Sequence, residues 1–196
     1  ETVMFPYNIV ETQGEELMRR CTEKNVGFIA MKGLAGGLPM GATLLGYPDT
    51  TAYRKAHIVA DGKKSKDSGL IFAYQQENIA VTGLGTIDGQ GGHVAFKTKV
   101  DPGNRPMIFL FKNIVVKDVT LQNSAHWTQL YTECQGVRVS GIKVYSHCNY
   151  NNDGIDIESS DVVVTNCMFD CEDDAICLKA LPEKICENIT VSNCVT

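Results

Sequence analysis

Val162-Val163-Val164-Thr165-Asn166-Cys167 reads as a short strand ending in a turn, and the same six-residue pattern occurs four more times. Ile79 to Leu84, Ile114 to Val119, Val137 to Ile142 and Ile189 to Cys194 align with it, apolar at positions one, three and six in every copy. Alternation of this kind marks a strand with one buried face, and β-branched residues suit that pleated surface. The copies begin at 79, 114, 137, 162 and 189, in steps of 35, 23, 25 and 27 residues. Such a period, with no helical pattern between the strands, indicates a solenoid whose coils each add one parallel strand per face. The predicted fold is mainly β, a right-handed parallel β-helix. A β-sandwich also has short strands, but it would not repeat one inward pattern at this spacing. Leu84, Val119, Ile142, Cys167 and Cys194, which share the sixth position, are expected to form one interior stack.

Two acidic motifs sit on this repeat: Asn151-Asn152-Asp153-Gly154 and Glu172-Asp173-Asp174. Each opens a strand, Gly154 to Glu158 after the first and Ala175 to Lys179 after the second. In that register Ile155 lies over Ile176 and Ile157 over Leu178, so Asp153 lies over Asp174. Strands stacked about 4.8 Å apart would hold Asp153, Asp173 and Asp174 on one outer surface. Like charges at that spacing raise one another's pKa, and a proton-sharing carboxyl cluster is what glycosidic hydrolysis uses.

The chain has 196 residues, 43% of them hydrophobic, and a net charge of −5. That length permits a core, and no apolar run approaches the roughly 18 residues of a membrane span. The negative charge argues against nucleic acid as a partner and makes a polyanionic substrate a puzzle unless basic residues gather locally. The chain begins at Glu1 with no signal peptide, which suggests a processed or excised product. The repeat accounts for the eight cysteines better than a metal does: Cys167 and Cys194 fall on inward positions, and no zinc-like spacing occurs. Cys167 is expected as a free thiol; a disulfide at Cys171 or Cys186 stays open. No metal and no cofactor is expected.

Residues 1–37 follow a different pattern. Val3-Met4-Phe5 reads as a strand, Thr12-Gln13-Gly14-Glu15 as a capping box starting a helix over 13–24, and Val26 to Met31 as a second strand. Strand, helix, strand is the unit of a parallel α/β barrel. Phe5 to Gln13 together with Val26 to Gly37 resembles a late segment of bacterial aldo-keto reductases. That family's catalytic Asp, Tyr, Lys and His lie on strands with no counterpart here, so an oxidoreductase is the weakest functional reading.

From Leu38 to Thr196 the chain resembles glycoside hydrolase family 28, the polygalacturonase-like enzymes. The likeness is carried by Gly41 to Gly46, Gly83 to Gly91, Asn123 to Thr128 and above all the two acidic motifs. Asn151 to Gly154 looks like the family's N-T-D-G with Asn152 in place of Thr, and Glu172 to Asp174 like its G-D-D or Q-D-D. The resemblance implies hydrolysis of α-1,4-galacturonan or related pectic bonds with inversion. It implies Asp173 as general acid and Asp153 and Asp174 as holders of the attacking water, with carboxyls roughly 6.5–9.5 Å apart. The implied partner is a pectic oligo- or polysaccharide, and the implied location secreted or periplasmic. The family's next elements, a Gly-His-Gly turn and an Arg-x-Lys strand, would follow Cys194. The β-helix is therefore expected to be truncated, its substrate-anchoring cations missing and its hydrolysis impaired. The division expected is an aldo-keto-reductase-like β-α-β fragment at 1–37 joined to a partial β-helix at 38–196, a chimera.

Other readings stand beside this one. Asp-Gly is a common turn pair, clustered carboxylates on β-helices also bind Ca²⁺, and the solenoid could bind carbohydrate without cleaving it. A lyase would need a basic proton abstractor, and none adjoins the motifs. Asn151, His126, Trp127 and His147 are the candidate substrate-binding residues; Trp127 either stacks on a sugar ring or packs against a neighbouring side chain.

Overall fold

The computed structural model describes residues 2–6, 27–31, 38, 40–49, 59–60, 63–64, 69–72, 79–97, 105–111, 114–180, 182 and 184–196. The first strands are β1 (Thr2–Pro6), β2 (Gly27–Met31), β3 (Thr43–Leu45), β4 (Val59–Ala60), β5 (Lys63–Lys64) and β6 (Gly69–Phe72). Next come β7 (Ile79–Thr82), β8 (Thr86–Asp88), β9 (Met107–Phe111), β10 (Ile114–Lys117), β11 (Thr120–Gln122) and β12 (Gln129–Gln135). The last are β13 (Arg138–Ser140), β14 (Lys143–Ser146), β15 (Ile155–Thr165), β16 (Met168–Cys171), β17 (Ile176–Leu178) and β18 (Glu187–Ser192).

All but four of these strands wind into a parallel β-helix; β1 and β2 form a sheet of their own, and β4 and β5 an antiparallel pair. One sheet runs β16-β14-β11-β8-β3; a second runs β6-β9-β12-β15-β13-β10-β7, with β17 and β18 also on β15. The long β15 belongs to two faces at once. Its first half pairs with β12 and β17, its second with β13 and β18. Each coil thus contributes three strands, as β9, β10 and β11 do, and pairs in parallel with the next.

The repeat read from the sequence is the register observed: Ile79 lies on Ile114, Val116 on Val139, Val139 on Val164, and Val164 on Val191. Val116, Val139, Val164, Leu121, Val144, Ile155 and Ile157 are all fully buried. Burying such a side chain is worth about 1.5–3 kcal/mol. The fifth repeat position turns the chain. Gly83, Asp118, Gly141, Asn166 and Asn193 all have positive φ there, at 129°, 65°, 66°, 55° and 53°. Only Gly, Asn and Asp visit that region readily, which explains why the repeat never carries an apolar residue at this point.

The expected interior stack holds for Val119, Ile142 and Cys167, and Cys194 packs against it partly buried. Leu84 departs from it, at 62% exposed. Ile79 pairs with Ile114 and Thr86 with Thr120, so seven residues of one coil match six of the next. Leu84 is the extra residue, displaced outward, and the buried Gly85 takes the position above Val119. Seven cysteines from Cys134 to Cys194 are free, and burial pushes the Cys167 thiol up to about 11.

In residues 1–37, β1 and β2 pair in parallel with Thr2 on Gly27 and Pro6 on Met31, which matches the two strands read there. The helix expected over 13–24 lies outside the described residues. No described helix is long and apolar enough to cross a membrane.

Candidate active site

The two acidic motifs meet because the ladder between β15 and β17 begins before either strand does. Gly154 N–H donates to Asp174 O at 2.8 Å and Ile155 N–H to Ala175 O at 3.2 Å, which sets Asp153 beside Asp174. Glycine is required at 154: a Cβ there would lie 2.5 Å from Ala175 O and 2.7 Å from the Phe169 ring. As expected, Asp153, Asp173 and Asp174 converge, one oxygen of each lying within 4.8 Å of the others. That is closer than the roughly 6.5–9.5 Å expected between the acid and base of an inverting pair. Asp173 and Asp174 are exposed, whereas Asp153 is 4% exposed.

Asp153 differs electrostatically from its neighbours. Oδ1 is buried without a hydrogen-bond partner. Burial, and then Asp173 and Asp174, push its pKa up to about 6, while a backbone hydrogen bond and Lys179 pull the other way. A carboxyl poised there is suited to accepting a proton near neutral pH. The three oxygens are also the described acidic groups that could converge on a cation.

The supporting residues come from three coils. The fully buried Asn152 donates to Ser124 O at 2.9 Å and His126 O at 3.1 Å, and accepts from Asn149 N–H at 2.9 Å. It thereby ties the Asp153 loop to the coil before it. Thr128 N–H donates to Asp153 O at 2.7 Å, which brings Trp127 alongside the cluster. Lys179 Nζ covers the Trp127 ring, 4.3 Å from its centroid, and the His126 ring sits 5.0 Å away, tilted by 38°. Trp127 therefore packs against a cation on one face. Burial, Arg105 and Lys179 hold His126 down at about 4, so it is neutral. Asn151 donates from Nδ2 to Asp173 Oδ2 at 3.4 Å. His147 leaves the end of β14 for a contact with Asp170 at 2.5 Å, and its partner is not a member of the cluster.

Sequence reasoning missed the cations. Lys179 Nζ lies 2.9 Å from Oδ1 of Asp156, which is fully buried and whose Oδ2 has no hydrogen-bond partner. Burial pushes Asp156 up to about 7 despite this pair. Two residues on, Lys184 pairs with the buried Glu158. Arg105 enters from before β9 and donates to Tyr150 O at 2.5 Å and Asn151 Oδ1 at 3.3 Å. Basic residues therefore do adjoin the motifs, each held by partners of its own, and neither belongs to the substrate-anchoring Arg-x-Lys strand expected after Cys194. The signal was the alternation in Ile155-Asp156-Ile157-Glu158: acids on the outward side of a parallel strand need partners from the next coil, and Lys179 lies at the end of that coil's strand.

A parallel β-helix with a carboxyl cluster on one face invites comparison with known proteins. The sequence pattern of Glycosyl hydrolases family 28 matches residues 41–196, and the chain belongs to that family. A polygalacturonase of Chamaecyparis obtusa is 30% identical over 149 residues, 69% of this chain and 27% of that one. An exopolygalacturonase of Platanus acerifolia is 29% identical over 180 residues, 87% of this chain and 45% of that one. The chain thus spans less than half of either relative. Among solved structures, a family 28 exopolygalacturonase of Yersinia enterocolitica superposes with a TM-score of 0.58 at 21% identity, over 70% of this chain and 34% of that one. A Parabacteroides merdae ATCC 43184 protein superposes with a TM-score of 0.63 at 18% identity, over 97% of both chains. These two show the fold. The aldo-keto reductase resemblance of residues 1–37 is not shown by these matches.

Proposed function

We propose that this site hydrolyses α-1,4-galacturonan or a related pectic bond with inversion at the anomeric carbon. The observation that carries the reading is the convergence of a buried Asp153, its pKa pushed up to about 6, with two exposed carboxyls within 4.8 Å. Asp173 donates its proton to the glycosidic oxygen as the bond from that oxygen to C1 breaks. A water held by Asp153 and Asp174 attacks C1 from the opposite face and gives its proton to one of them. Asn151, His126, Trp127 and His147 contact the sugar in this reading, and Lys179 and Arg105 offset part of the repulsion between a net charge of −5 and galacturonate. Because that offset is partial, turnover by the 196-residue chain is expected to be slow.

The test is proton NMR of polygalacturonate treated with the chain and with Asp173→Asn. The reading predicts β-anomeric reducing ends appearing first, and their loss in the variant. The α-anomer first, or hydrolysis that survives the substitution, would overturn it. Binding of oligogalacturonides with no hydrolysis at all would favour the non-catalytic carbohydrate-binding reading.

A further inference from the structure

We infer that Arg105 is a positioning residue that fixes the proton donor Asp173 through Asn151, an inference that rests on the role proposed above for Asp173. Arg105 is 4% exposed, yet it sits in the coil of β9, two coils before the one that Asn151 opens and three before the one that Asp173 opens. Its guanidinium reaches across the intervening coil. Nη1 donates to Ala125 O at 3.2 Å and Tyr150 O at 2.5 Å, Nη2 donates to Asn151 Oδ1 at 3.3 Å, and the plane lies 3.5 Å from the centroid of the Tyr150 ring. Nε is buried and has no hydrogen-bond partner.

Arginine carries no acceptor, so the atom of Asn151 that faces it has to be the amide oxygen. The amide nitrogen is thereby aimed the other way, and it meets Asp173 Oδ2 at 3.4 Å. Oδ1 of the same carboxyl accepts from Asp174 N–H at 2.9 Å. Asn151 itself is held at φ 52°, a left-handed conformation that costs energy unless its surroundings fix it. Arg105 is thus what decides which end of the Asn151 side chain points at Asp173, and with it the rotamer in which Asp173 waits. A lysine in its place offers one compact ammonium and no fork to span Tyr150 O and Asn151 together.

A misplaced proton donor slows only those substrates that need the proton. Arg105→Lys and Asn151→Ser are therefore compared on trigalacturonate, whose leaving alcohol must be protonated, and on 4-nitrophenyl galacturonide, whose leaving group departs unaided. The expected result is a fall in kcat of about 10- to 100-fold on trigalacturonate and of less than about threefold on the aryl substrate, with KM little changed for Arg105→Lys and raised on both substrates for Asn151→Ser, whose side chain also contacts the sugar, and a double variant no worse in kcat than the poorer single one. Equal losses on both substrates, or losses that multiply in the double variant, would overturn the inference. Circular dichroism and urea unfolding show whether Arg105→Lys is folded; if it is not, the substrate ratio of Asn151→Ser decides. Asp173→Asn is the control for the underlying reading. If its own loss is the same on both substrates, Asp173 is not the proton donor, and if the parent chain cleaves neither, the site is not hydrolytic; in either case the proposed function fails first. If Asp173→Asn shows the substrate dependence and the Arg105 and Asn151 variants do not, only the present inference fails.

Discussion

Replacing Lys179 by methionine removes one charge and keeps nearly the same volume, so it isolates the ion pair with Asp156. Asp156 is fully buried, and Lys179 is 22% exposed along its side chain. Removing one partner of a buried pair costs about 3–5 kcal/mol, because the other charge is left without compensation. The partial exposure of Lys179 places the cost at the lower end, about 3 kcal/mol, of which the lost contact with Trp127 accounts for about 0.5–1 kcal/mol. The sign of the pH dependence follows from Asp156, whose folded pKa of about 7 lies above the roughly 3.9 of an unfolded chain. Protonation therefore favours the folded state: the contribution is fully present below about pH 4 and is lost as pH rises through 7. A protonated Asp156 has little need of the lysine, so the cost of Lys179→Met should be about 3 kcal/mol at pH 8 and below about 1 kcal/mol at pH 5. Urea unfolding followed by fluorescence measures both values, and since Trp127 is the only tryptophan of the chain the signal comes from the site itself. Adding Asp156→Asn to Lys179→Met should recover most of the loss at pH 8. A cost under 1 kcal/mol at pH 8, or one that grows on acidification, would refute the reasoning.

Asp153→Asn should lower kcat about 10²- to 10⁴-fold with the fold intact, as activity assays and circular dichroism together would show. Since Asp153 acts ionised and sits at about 6, the rate of the parent chain should fall as pH drops through 6, a limb that a pH–rate profile would find missing in the variant. Cys167, buried in the interior stack, should resist alkylation in the folded chain and react on unfolding, and Cys167→Asp should prevent stable folding because a charge there has no partner. At the left-handed turn, Asn166→Ala should destabilise by about 1 kcal/mol and Asn166→Gly by less, a difference that thermal unfolding resolves.

The fold was legible because a β-helix is periodic. Once Ile114, Val137 and Val162 are seen to start equivalent segments, every later register follows, and the ladder places them as that pattern requires. The same periodicity misled at Leu84, where the six-residue pattern fits the letters but the coil holds one residue more than its neighbour. An apolar residue at a turn satisfies the pattern without being buried, and only the pairing of Thr86 with Thr120 reveals the offset.

The carboxyls were legible for the same reason, since Asp153 and Asp174 are tied by strand register. The cations were not, and the reason is physical. Lys179 reaches back along the sheet to Asp156, not to its register partner Glu158, and Arg105 crosses a whole coil to Asn151. Register constrains backbones and short side chains; long, flexible ones choose their partners by charge and burial, which single-sequence reasoning does not locate. Buried Asp156 and Glu158 nevertheless state the requirement by themselves. An outward strand face with two carboxylates on alternate residues must be met from the next coil by two cations or be protonated, and the chain supplies Lys179 and Lys184. By the same logic the net negative charge of the chain says little about affinity for the acidic sugar proposed as substrate, because the charge that such a sugar would meet is the local one, three carboxyls with Lys179 and Arg105 near them.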